Sequence, residues 1–241
     1  MMVLREGLEN SMANIIVAKL IKKPQMTDWI KRWEKGETGW HQASVNTKLV
    51  DFLDCLEQDS NPCVFVPLCG KSLDMLYLLE QGFHVVGVEL SKLAVEAFFA
   101  ENNISYSVIK QGNFQRYCAH KIDIYCGDFF DLEASHLQAV NGVYDRASLI
   151  ALPIDLRAKY VKHLYSIITS DCKILLLTLN YPQAQMSGPP YALDQAEVKT
   201  LFTKRFDCEQ LQCFNDIQNE PKFQRAGVDY VEKATYCLRK K

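Results

Sequence analysis

Residues Cys63 to Ser91, CVFVPLCGKSLDMLYLLEQGFHVVGVELS, constrain the fold more than any other stretch. Cys63–Pro67 is a short apolar run stopped by proline, which fits a strand buried on both faces. Leu68, Cys69 and Gly70 form a tight turn. Ser72–Gln81 then places apolar residues at Leu73, Leu76, Tyr77 and Leu79, a helical spacing closed by Gly82. Phe83–Val88 is a second buried-strand candidate, with Glu89 at its carboxyl end. The reading is a right-handed βαβ unit. In open sheets built from such units, small ligands sit outside the carboxyl ends of the strands, and a carboxylate about twenty residues past the first turn holds a ribose diol.

The turn narrows the ligand. It lacks the G-x-G-x-x-G that brings backbone up to a pyrophosphate, which disfavours NAD and FAD. The string CGKS resembles the tail of a phosphate-binding loop, but Phe65 stands where that motif needs its first glycine. A nucleoside without phosphates needs only the acid and the turn, and S-adenosylmethionine is the common ligand of that kind. The plain alternative is a βαβ unit whose glutamate has no ligand.

At 241 residues the chain suits one α/β domain, and a formal net charge of -2 gives no basic face for nucleic acid or an anionic membrane. No apolar run reaches membrane length, and no signal-peptide pattern opens the chain. The nine cysteines form no C-x-x-C pair and stand apart from the five histidines, so no metal site is expected. An odd count without a secretory signal argues for free thiols in a cytoplasmic protein.

Along the chain, residues 1–25 read as a tail or a short helix through Ile15, Ile16, Leu20 and Ile21, and residues 26–241 as the domain. Trp29, Ile30 and Trp33 share one face of a short helix ended by Gly36, with Trp40 and His41 in the loop beyond. These three tryptophans form either an aromatic plug over the core or a lid over a planar ligand. Asn46 or Thr47 opens a helix, and Lys92–Glu101 is another. Ile104–Ile109 and Lys121–Cys126 read as extended segments joined by a polar loop, Gln111–His120. Asp128 either meets a ligand edge at a strand end or forms a turn after Gly127. Arg146 follows a strand ending at Asp145, where it either faces the cleft or sits on the surface. Pro153 opens a helix through Ile168, and Lys173–Leu179 is a central strand. Tyr181–Tyr191, with three prolines and a glycine, is an irregular candidate lid. Asp194 and Glu197 start a helix to Phe202, and Cys208–Phe214 and Tyr230–Leu238 close the sheet as an antiparallel pair.

Six segments in order, WIKRWEKGETGWHQ, VFVPLCGKSLDM, VVGVELS, YCGDFFDL, YDRASLIAL and SGPPYALDQAEV, together resemble the thiopurine S-methyltransferase family in its bacterial form. The resemblance runs from about Trp29 to the C-terminus, and the PLCGKSLDM turn is its most specific part. It implies a class I S-adenosylmethionine-dependent methyltransferase: an α/β fold with a doubly wound, mostly parallel seven-stranded sheet and helices on both faces. It further implies a monomer that methylates the sulfur of aromatic or heterocyclic thiols, and in bacterial relatives selenium or tellurium species. By motif position Trp33, Leu68, Glu89 and Arg146 would contact the cofactor, with Asp128 and Phe129 beside the adenine. Trp40 and Arg146 would face the substrate, as would Lys222, which stands where the family often has arginine. Lysine keeps the charge and loses the bidentate fork.

Thiol methylation asks little of a base, because an aromatic thiol is partly thiolate near neutrality. Alignment and exclusion of water supply most of the acceleration. Arg146 and Asp145 are the only catalytic candidates, Asp145 with a structural role at the strand end as its alternative. The other activities weighed are transfer to halide, thiocyanate or another small nucleophile, and cofactor binding without turnover.

Overall fold

A computed structural model describes residues 26–56 and 61–241. The tail or helix read into residues 1–25 lies outside the described residues. The chain divides after Thr38. Of the part up to Thr38, the described piece holds helix α1 (Met26–Glu34), in which the Arg32 guanidinium lies 5.5 Å from the Trp29 ring centroid.

Gly39–Lys241 is organised by one sheet of nine strands: β1 (Cys63–Val66), β2 (His84–Glu89), β3 (Ser107–Gln111), β4 (Phe114–Ala119), β5 (Ile122–Cys126), β6 (Gly142–Asp145), β7 (Lys173–Asn180), β8 (Phe206–Asn215) and β9 (Glu232–Lys240). Their order is β3-β4-β5-β2-β1-β6-β7-β9-β8. The pairs β5–β2, β2–β1, β1–β6 and β6–β7 are parallel, and β9 and β8 follow antiparallel. Those strands are the seven expected. The correction is β4, which pairs between β3 and β5 where the sequence reads the polar loop Gln111–His120, while β3 overlaps the extended segment read at Ile104–Ile109. Within Gln111–His120 only Phe114 and Tyr117 are fully buried, three positions apart, so the segment lacks the alternation that marks a half-buried strand.

The central strands alternate between two cores. Val64 and Val66 of β1 face one side with Val85 and Ile124, under α2 (Thr47–Asp51), α3 (Asp74–Glu80) and α4 (Lys92–Glu101). Phe65 faces the other with Val86, Val88 and Leu176, under α5 (Ile154–Ile167) and α6 (Gln195–Phe202). Burial on both faces explains why these strands read as unbroken apolar runs. Of Asn46 and Thr47 it is Asn46 that caps α2, Asp194 caps α6 as expected, and Ser91 caps α4, each accepting an N–H group at the helix start.

The cysteine reading needs a second correction. Cys55, after α2, is bonded to Cys237 in β9, and the other seven cysteines are free. The two lie 182 residues apart in sequence, and only the fold brings their Cα atoms to 6.0 Å. Titration of unfolded, unreduced protein should therefore find seven thiols, rising to nine after reduction. Nine before reduction would show that the bond does not form in the protein as isolated.

Candidate active site

The turn after β1 is pressed against β2. Leu68 and Gly70 take the left-handed conformation, at φ +46° and +53°, and Cys69 N–H donates to the Val88 carbonyl at 3.0 Å. A Cβ on Gly87 would stand 2.9 Å from Cys69 Sγ, so β2 needs glycine there for the turn to lie close. A left-handed leucine is strained, and such strain concentrates at functional sites.

That turn delivers two backbone donors to one carboxylate. Gly70 N–H reaches Glu89 Oε2 at 2.9 Å, and Ser91 N–H reaches Oε1 at 2.8 Å. Glu89 is 6% exposed. Burial pushes its carboxyl above the usual range, and the N–H groups of Ser91, Gly70 and Leu90 pull it back. Each oxygen keeps a lone pair for a further donor, which suits the two hydroxyls of a ribose. This pair of acceptors therefore fits a nucleoside such as S-adenosylmethionine.

Next to Glu89 the end of β5 is fixed by Gly127 N–H, which donates to the Glu89 carbonyl at 2.9 Å. A Cβ on Gly127 would lie 2.5 Å from the Phe114 ring, so the motif's glycine is set by this close approach. Asp128 Oδ1 accepts Phe130 N–H at 2.9 Å and caps a single 3-10 turn, Phe129–Asp131. The Phe129 ring is turned into the core, 4.7 Å from the Tyr160 ring centroid. What Phe129 offers at the strand end is backbone, and even its carbonyl is engaged by His163 Nε2 at 3.2 Å.

At the end of β6, Asp145 is buried with both oxygens in use: Leu149 N–H donates to Oδ1 at 3.1 Å and the Tyr160 hydroxyl to Oδ2 at 2.7 Å. Burial pushes its carboxyl up to about 6. This geometry favours the structural role. The folded value lies above that of an unfolded aspartate, so the group's contribution to stability is fully present below pH ~4 and is lost as pH rises through about 6. Asp145→Asn keeps an acceptor for Leu149 and should remove that loss, which amounts to roughly 3 kcal/mol at pH 8. Activity should stay within about threefold, since this size of change is far below the roughly hundredfold or more that a general base contributes. Denaturant unfolding at pH 4 and 8, with turnover, checks both.

Arg146 does not stand free in the cleft as the sequence suggests. Its Nε donates to Asp74 Oδ2 at 2.7 Å, Nη2 to Ser72 Oγ at 3.0 Å and Nη1 to the Trp40 carbonyl at 3.5 Å. Asp74, the first residue of α3, also accepts the Tyr144 hydroxyl at 3.0 Å and Asn46 N–H at 2.8 Å. Ala147 follows in the left-handed region at φ +60°, and the Ser148 hydroxyl donates to the Pro67 carbonyl at 2.6 Å, tying the ends of β6 and β1. These two strands flank the point where chain order reverses in the sheet, the usual ligand crevice.

Leu68, Glu89, Asp128 and Arg146 thus gather at the carboxyl ends of four adjacent strands, β1, β2, β5 and β6. Trp40 joins them through its carbonyl. Lys222, on α7 (Pro221–Arg225), donates from Nζ to the Pro189 carbonyl at 3.4 Å and so meets the irregular loop that follows β7. Trp33 lies on α1, in the part of the chain before Gly39. The sequence reading missed Asp74 and gave His41 no role. Burial lowers the His41 pKa first, then Lys71 and Arg146 lower it further against the opposing charges of Glu101 and Asp74. Lys71 itself is paired with Glu101 at 2.6 Å. Among the described residues no group of three or more His, Cys, Asp and Glu side chains could hold a metal ion.

Comparison with known proteins follows the same outline. A family profile described as thiopurine S-methyltransferase matches residues 24–241. Thiopurine S-methyltransferase of Nitrosospira multiformis is 46% identical over 210 residues, covering 87% of this chain and 96% of that protein. The enzyme of the same name from Shewanella sp. strain MR-4 is 40% identical over 213 residues, covering 88% and 98%. Among solved structures, a SAM-dependent methyltransferase from Anabaena variabilis superposes with a TM-score of 0.62 at 15% identity, over 92% of this chain and 98% of that one. The 1,6-didemethyltoxoflavin-N1-methyltransferase of Burkholderia thailandensis, solved with 1,6-didemethyltoxoflavin and S-adenosylhomocysteine, gives 0.57 at 17% identity, over 89% and 87%. At such identities the solved structures speak for the fold alone.

Proposed function

We propose, from the premise that the chain belongs to the thiopurine S-methyltransferase family and is an S-adenosylmethionine-dependent methyltransferase, that its acceptors are aromatic and heterocyclic thiols methylated on sulfur. The observation that carries this reading is the match over residues 24–241, which includes every strand end of the crevice. The bound cofactor supplies an electrophilic methyl group. Glu89 and the Leu68–Gly70 turn hold the nucleoside end, with the backbone at Asp128 and Phe129 beside the adenine. Trp33 and Arg146 are assigned to the cofactor by motif position. Trp40, Lys222 and Arg146 line the acceptor side, where the Trp40 ring stacks on a planar heterocycle. No general base is assigned. An acceptor already ionised near neutrality leaves these residues only to align it and keep water out.

The same arrangement suits softer nucleophiles, and bacterial relatives are the ground for including selenium and tellurium species. Our reading is of a monomer acting in the cytoplasm on small molecules, with neither nucleic acid nor membrane as partner. The experiment is calorimetric titration with S-adenosylmethionine, then transfer to 6-mercaptopurine, thiophenol, thiocyanate and selenite with products identified by mass. S-methyl products on the two thiols are expected. Thiocyanate as the sole acceptor would replace the substrate class. Binding with no transfer to any acceptor would point to a cofactor-binding module.

A further inference from the structure

The Asp74–Arg146 pair reaches beyond the strand ends that carry it. Residues 40–46 have no helix or strand of their own, and each end of this segment is fastened to a different member of the pair. Arg146 Nη1 donates to the Trp40 carbonyl at 3.5 Å, and Asp74 Oδ1 accepts Asn46 N–H at 2.8 Å. Between those ends the segment makes one internal side-chain bond, from Asn46 Nδ2 to Gln42 Oε1 at 3.1 Å. A stretch without a backbone ladder keeps one conformation only where such tethers offset its chain entropy. The two bonds are unequal. The one at Asn46 is short and charge-assisted, while the one at Trp40 is long and depends on where the guanidinium is held. Asp74 sets that place, because it grips Nε at 2.7 Å while Ser72 steadies Nη2.

We propose that Asp74 is a positioning residue for the acceptor side: with Arg146 it clasps segment 40–46, fixing Trp40 and His41, and so sets affinity for the methyl acceptor more than for the donor. Asp74 is 1% exposed and its oxygens serve Asn46, Tyr144 and Arg146, so it acts through the segment and not by touching substrate. The charged groups facing the segment are Lys71 from the turn after β1, Glu101 from the end of α4, Asp74 itself and Arg146, and they form two ion pairs. Charge around the segment is therefore largely balanced, so the segment acts on an acceptor through the placement of Trp40. Of the five Arg146 N–H donors, three have these protein partners, leaving two that can meet a ligand.

The inference rests on the methyl-transfer reading for its kinetic arm only. In Asp74→Ala, hydrogen exchange at the Asn46 amide should quicken at least tenfold. The KM for the acceptor should rise at least tenfold, and at least threefold more than the Kd for S-adenosylmethionine. Asp74→Asn, the safer variant for folding, keeps an oxygen for Asn46 but loses its hold on Arg146. It should show near-normal Asn46 exchange and still a raised acceptor KM. Tyr144→Phe removes a bond to Asp74 that leads away from the segment and should change neither readout by more than twofold. Unchanged exchange in Asp74→Ala, or donor affinity falling in step with acceptor affinity, would overturn the clasp. Quickened exchange in a protein whose wild type methylates no thiol would uphold the clasp and overturn the substrate reading instead.

Discussion

Glu89→Gln should weaken S-adenosylmethionine binding by roughly 10–150-fold, the equivalent of about 1.5–3 kcal/mol for one charged hydrogen bond to the ribose. The substitution keeps the shape and removes the charge, so the loss can be read apart from gross misfolding. Glu89→Ala should lose more, because it also strands the N–H groups of Gly70 and Ser91 that the carboxylate now satisfies. The pH dependence has a definite sign. The folded carboxyl titrates above its ordinary value because it is buried, so in the free protein its contribution to stability is present at acid pH and is lost as pH rises through the folded value. Ribose hydroxyls favour the ionised form. Affinity should therefore fall as pH drops toward that raised value in the wild type and stay flat in Glu89→Gln. Calorimetry between pH 5 and 8 would decide it, and equal affinity for a folded Gln variant would remove Glu89 from the site.

Much of this site was legible because its residues are local to strand ends. Glu89 could be found from its distance past the turn, and Arg146 from its place after a strand. Asp74 could not. It sits three residues beyond Lys71 in the quoted motif, but an acid in the first turn of a helix reads as an ordinary partner of the helix dipole. Its real partners, Tyr144 and Arg146, lie 70 and 72 residues on. The same limit hid the Cys55–Cys237 bond, and a related one hid β4. Periodicity reports burial, and β4 fully buries only Phe114 and Tyr117, three positions apart. Phe129 shows the opposite limit. Its motif position marked it for a ligand, while packing sends its ring to Tyr160 and Phe65. A motif fixes where backbone runs more firmly than where a side chain points.

The second large effect belongs to the buried pair. Arg146→Ala should lower stability by about 3–5 kcal/mol, because it leaves the Asp74 carboxylate buried without its cation. For a chain of this size each kcal/mol moves Tm by about 2–4 °C, so the expected drop is roughly 6–20 °C. The Asp74 side chain is 1% exposed and that of Arg146 13%, which places the pair well inside the range where removing one partner costs more than the pair itself contributes. The sequence alone puts this arginine in the cleft or on the surface and gives no sign of a buried partner. Two further variants separate these accounts. Arg146→Lys keeps a cation near Asp74 but cannot span Asp74, Ser72 and the Trp40 carbonyl together, and should recover part of the stability. Asp74→Asn combined with Arg146→Gln removes both charges and should be more stable than Arg146→Ala, because no unpaired ion remains. Calorimetric unfolding of the four proteins gives the answer directly. A double variant less stable than Arg146→Ala would mean that the hydrogen bonds to Asn46 and Tyr144, rather than the ion pair, carry the energy of this crossing.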